Sequence, residues 1–86
     1  MAGRNRTTMM TASDIFAVNL KGLMAMQGVS ATEMQDLMGI GETTFYKRMK
    51  RPYEFTLDNA QRAAKRLGVS VADMTCRVMT VGGVGV

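Results

Sequence analysis

The segment Gly28-Val29-Ser30-Ala31-Thr32-Glu33-Met34 returns almost position for position as Gly68-Val69-Ser70-Val71-Ala72-Asp73-Met74. Each copy is a helix stop joined to a helix start. The glycine is the residue that enters the left-handed region without steric cost, so it ends the preceding helix. The serine two residues later offers a side-chain oxygen to the free amides of the next first turn. In the first copy Ser30 and Glu33 have the spacing of a capping box, and Val29 and Met34 that of a hydrophobic staple. A third joint, Gly39-Ile40-Gly41, leaves only a tight turn between two helices. Joints this close hold every helix to a few turns. We read them as one helix-joining solution used twice, not as a duplicated domain.

Periodicity fills the intervals. Ser13 reads as an N-cap with Asp14 in the first turn, and Phe16, Leu20 and Leu23 recur at helical spacing, predicting a first helix over Asp14 to Gln27. The second runs from Ala31 to Met38 with Met34, Leu37 and Met38 inward. The third covers Glu42 to about Lys50, inward on Phe45 and Met49 with Thr44 at its edge, and Pro52 stops it. Phe55 and Thr56 open the fourth as staple residue and N-cap, its buried stripe being Leu57, Ala60, Ala64 and Leu67. A short fifth spans Val71 to about Thr75. The expected fold is therefore all-α, five helices in one compact domain over residues 13–75. A flexible arm, 1–12, precedes it and a Gly/Val-rich tail, 76–86, follows. The stretch Thr75 to Val81 is rich in β-favouring residues and suits either a short C-terminal strand that pairs with its copy or a loose tail.

Composition narrows the chemistry. A chain of 86 residues closes one small core, and 47% hydrophobic content argues against disorder. Two tyrosines, three phenylalanines, no tryptophan and ten methionines predict a core of flexible side chains, and Met34, Met38, Met49 and Met74 all fall on inward positions. With a single cysteine, Cys76, and no histidine, neither an internal disulfide nor a Cys/His zinc site is expected. No stretch approaches the roughly 18 apolar residues of a membrane span, and the N-terminus lacks the apolar core of an export signal. A cytoplasmic protein without cofactor or small-molecule ligand is the expectation. The absence of histidine, of a phosphate-cradling glycine loop and of convergent carboxylates argues against an enzyme.

The net charge is +4. It gathers on Lys47, Arg48, Lys50 and Arg51, opposed there only by Glu42, and on Arg4 and Arg6 of the arm. Two short helices joined by a glycine-containing turn, the second polar on its outer face, form the helix-turn-helix pattern. The stretch MQDLMGIGETTFYKRMKRP followed by FTLDNAQRAAKRLGVSVADM resembles the Cro/CI-type, lambda-repressor-like helix-turn-helix family. The resemblance covers roughly Phe16 to Met74. It rests on Leu20, Leu23, Gly28, Ser30, Met34, Gly39-Ile40, Thr44-Phe45, Leu57, Ala64, Leu67-Gly68, Ser70 and Met74 in that order.

The resemblance implies a sequence-specific double-stranded DNA-binding regulator, a Cro-like repressor of phage, prophage or bacterial type. The helix over 42–50 would enter the major groove, and a homodimer would form at least on DNA. Glu42, Thr43, Tyr46, Lys47 and Lys50 are then outward. Lys47 can donate to guanine, Thr43 can touch a base edge or methyl, and Glu42 either accepts from cytosine or complements the helix dipole. Tyr46 contacts a thymine methyl or a phosphate, or packs on Phe55. Phosphates fall to Ser30, Thr32, Lys50, Arg51 and, if the arm follows a groove, Arg4 and Arg6. Two positions depart from the family pattern. Ala31 stands where many members place a phosphate-binding glutamine, and Met24 and Met49 stand where several pair an arginine with a glutamate. An apolar contact in place of that ion pair is expected. A protein-interaction module of the same fold, such as an antitoxin or anti-repressor adaptor, is the alternative use of the surface.

Overall fold

The computed structural model describes residues 10–79 and is entirely helical there, with no strand among the described residues. Its elements are α1 (Ala12–Gln27), α2 (Ala31–Met38), α3 (Glu42–Lys50), a 3₁₀ turn at Pro52–Glu54, α4 (Leu57–Leu67) and α5 (Val71–Cys76). Arg4 and Arg6 lie outside the described residues. No helix among the described residues is long and apolar enough to cross a membrane.

The joints behave as their residues dictate. Gly28, Gly39 and Gly68 end α1, α2 and α4 at φ of 71°, 73° and 75°. Ser30, Thr56 and Ser70 cap the helices that follow. Val29 and Met34 are both buried, as a staple requires. The capping box expected at Ser30 is half formed: Ser30 Oγ accepts from the Glu33 amide at 3.0 Å, but the Glu33 carboxylate turns to Arg66 on α4 at 2.8 Å. A cation across the helix pair outcompetes a backbone amide for it.

Two boundaries and one burial differ from expectation. Helix α1 starts at Ala12 because Thr11, not Ser13, is its N-cap. Thr11 and Asp14 satisfy each other's amides at 3.1 and 3.2 Å, a reciprocity Ser13 cannot have with Phe16 three residues on. At the other end α5 includes Cys76, which is exposed, so a strand, one of the two alternatives expected for Thr75 to Val81, does not begin at Thr75; Thr80 and Val81 lie outside the described residues. Leu57 is 66% exposed, although it sits on the stripe continued by Ala60, Ala63, Ala64 and Leu67. As the first residue of α4 it lies at the end of the core. Phe55 fills the space instead, edge-on to Phe16 at 5.4 Å and to Phe45 at 6.5 Å.

Helix α1 packs chiefly on α5, and α2 on α4, around Phe16, Leu20, Met34, Phe45, Leu67 and Met74. Met38 is buried too, while Leu37 and Met49 are half-buried at the rim. Among the buried polar residues, Asn19, Gln35 and Asn59, one is completely enclosed. Asn19, fully buried, donates to the carbonyls of Met74 and Arg77 at 2.9 Å each and accepts from the Met79 amide at 2.7 Å. It thereby satisfies a carbonyl near the end of α5 and holds the following segment against α1. Gln27 does the same for the end of α4, donating to the Leu67 carbonyl at 2.8 Å.

Candidate nucleic-acid interface

Helix α3 has one fully buried residue, Phe45, at 2% exposure. With Phe45 inward and Met49 at the rim, helical geometry turns Glu42, Thr43, Tyr46, Lys47 and Lys50 to solvent, and all are exposed. Thr43, Tyr46, Lys47, Lys50 and Arg51 line a single shallow depression on this face. Four residues chosen by spacing and the first residue beyond the helix thus come together.

Tyr46 stands at the centre. Its ring packs edge-on against Phe45 at 5.2 Å, not on Phe55, and half of the residue remains exposed. It also borders two further depressions. One is shared with Lys21, Met24, Ala31 and Met49, the other with Ala17, Lys21 and Lys50. Met24 and Met49 therefore line the same hollow. Lys21 of α1 belongs to this face as well. Sequence spacing within one helix could not find it, because its neighbours on the face come from α3.

Ala31 brings the N-terminus of α2 to the edge of the same hollow. There Ser30 Oγ and the Ser30 carbonyl take the amides of Glu33 and Met34, and the amides of Ala31 and Thr32 are those a first turn leaves to solvent or ligand. Ser30 and Thr32 are exposed but line none of the depressions on the α3 face. Glu42 is exposed at the first position of α3, whose N-cap, Gly41, has no side chain to offer the free amides. A carboxylate there complements the helix dipole.

The cations divide by partner. On α4, Arg62 pairs with Asp58 at 3.0 Å and donates to the Leu37 carbonyl at 3.2 Å, and Arg66 pairs with Glu33 at 2.8 Å. On the α3 face, Lys21, Lys47 and Lys50 have no ion-pair partner among the described residues; Arg51 has a loose one, Glu54 at 3.7 Å. Lys65 is the cation of α4 without an ion-pair partner among the described residues. Three of the cations without an ion-pair partner among the described residues thus lie around the exposed Tyr46. Comparisons with protein-family models, curated proteins and solved structures give no significant match to this chain.

Proposed function

We propose that this protein binds double-stranded DNA through the α3 face and acts as a sequence-specific, Cro-like transcriptional regulator. The observation that carries the reading is the cluster of unpaired lysines around an exposed tyrosine on a short helix that follows a tight glycine turn. A major groove admits one helix, and α3 offers it a polar face with α2 behind. Lys47 and Thr43 read base edges, and Tyr46 lends a ring to a thymine methyl or a hydroxyl to a phosphate. Lys21, Lys50 and Arg51 hold phosphates, with Ser30, Thr32 and the free α2 amides positioned for another strand contact. Glu42 serves the helix dipole. One such helix reads few base pairs, so a two-fold dimer on a palindromic site belongs to the reading.

Selection of bound duplexes from a random pool, followed by affinity against salt, tests it. Neutralising phosphates with Lys21, Lys50 and Arg51 releases counterions, giving a log–log salt slope of about −2.7 for each domain engaged. Binding that is absent at low salt, or indifferent to salt, refutes the proposal; the second result marks a protein-binding face of the adaptor kind.

A further inference from the structure

Arg48 is the one cation of α3 that does not serve the outward face. It is half-buried, and its Nη1 donates to Oδ1 of Asn59 at 2.7 Å. Asn59 is 4% exposed and is the third residue of α4, where it forms the capping box with Thr56. Its Oδ1 also accepts from the Thr56 amide at 3.1 Å, while its own amide donates to Thr56 Oγ1 at 3.0 Å. The start of α4 and the last turn of α3 thus share one buried acceptor oxygen.

We infer that Arg48 is a positioning residue: its bond to Asn59 fixes the roll of α3 about Phe45, and so the direction in which Thr43 and Lys47 face a base pair. The inference rests on the DNA reading of that face. Phe45 is the single fully buried anchor of α3, and one anchor sets the depth of a short helix while leaving it free to turn about its axis. Arg48 follows Phe45 by three residues, on the neighbouring side, and its tether runs to a rigid capped helix start. A charge-assisted bond to a buried carbonyl is stronger and more directional than the apolar rim contact of Met49. Because Lys47 is the adjacent residue, any roll that loosens Arg48 swings Lys47 along the groove, and base readout tolerates displacements of well under a hydrogen-bond length. Phosphate attraction is far less sensitive to direction.

The test uses the full chain, the duplex it selects and an unrelated duplex, with Arg48→Met, Asn59→Ala, their combination and Asn59→Asp. Arg48→Met and Asn59→Ala should each lower the selected-to-unrelated affinity ratio by about tenfold, the order of one charge-assisted hydrogen bond. The double variant should lose no more than either. Asn59→Asp keeps the acceptor for both Arg48 and Thr56 and should keep the parental ratio, which supplies the comparison if Asn59→Ala does not fold. The salt slope on unrelated DNA should stay unchanged in Arg48→Met. A slope flattened by about 0.9, the effect expected of Lys50→Ala, makes Arg48 a phosphate ligand and overturns the inference, as does a parental ratio in Arg48→Met. If the parent selects no duplex, the DNA reading falls while the tether is judged in the free protein. There, amide resonances of α3 should shift alike in Arg48→Met and Asn59→Ala and return in Asn59→Asp; unmoved α3 resonances overturn it.

Discussion

Replacing Asn19 by leucine keeps the branched shape of the side chain, at a somewhat larger volume, and removes its three hydrogen bonds, two donated at 2.9 Å and one accepted at 2.7 Å. The partners are backbone groups, so they stay behind. An apolar substitute is harmless when both partners of a bond disappear together, and costly when one remains without a partner. The Met74 bond is buried, and its carbonyl loses a donor that water cannot replace in place. The groups of Arg77 and Met79 are nearer the surface and regain water if the segment peels away, at the expense of the Met79 packing. Counting about 1 kcal/mol for each bond and at most one further for the orphaned carbonyl gives roughly 3 to 4 kcal/mol. A chain of 86 residues has about 4 to 13 kcal/mol of stability in total. The loss should lower the melting temperature by about 10 to 25 °C in far-ultraviolet circular dichroism. Truncation after Cys76 should remove two of the same three bonds and cost about 2 kcal/mol in the parent, yet little in Asn19→Leu. A leucine variant melting within about 3 °C of the parent, or additive losses in the double variant, would refute the clamp.

Phe45→Ala should cost about 3 to 5 kcal/mol, because a buried ring packed against Phe55 and Tyr46 leaves a cavity at the base of α3; a melt within a few degrees of the parent would place the ring outside the core. Lys47→Ala and Thr43→Ala should change the preferred sequence at roughly 1 to 3 kcal/mol for a good base contact, whereas Lys50→Ala should weaken all duplexes alike. Uniform loss in all three would leave the face with electrostatic binding alone.

The helix limits were legible where capping is local. Ser30, Gly39, Thr56, Gly68 and Ser70 act within a turn of their own position, so α2, α3 and α4 fall where periodicity and caps together put them. Thr11 escaped because two hydroxyl residues stood two apart, and the choice depended on which had an acid at the reciprocal place. Asn19 escaped for a different reason. A polar residue between Phe16 and Leu20 reads as the edge of an amphipathic stripe, and the groups that justify its burial lie 55 to 60 residues further on. Buried amides of this kind are set by tertiary pairing, which no window along the chain contains.

The exposed face of α3 was legible in outline for the same local reason: spacing alone turns Thr43, Tyr46, Lys47 and Lys50 to one side. Charge counting was less faithful. The excess on Lys47, Arg48, Lys50 and Arg51 marks the α3 segment but does not say which of those charges are already partnered: Arg48 is tethered to Asn59 and Arg51 has Glu54 at 3.7 Å, while Lys21 joins the face from α1. A count sums charges irrespective of their partners, whereas the field at a surface depends on which charges already have them. Arg66 and Glu33 make the converse point, because the pair ties α4 to α2 and cancels locally on a helix whose sequence is as basic as that of α3. The distribution of ion pairs, more than the basic residues themselves, therefore distinguishes α3, where Lys47 and Lys50 have no ion-pair partner among the described residues, from α4, where only Lys65 has none.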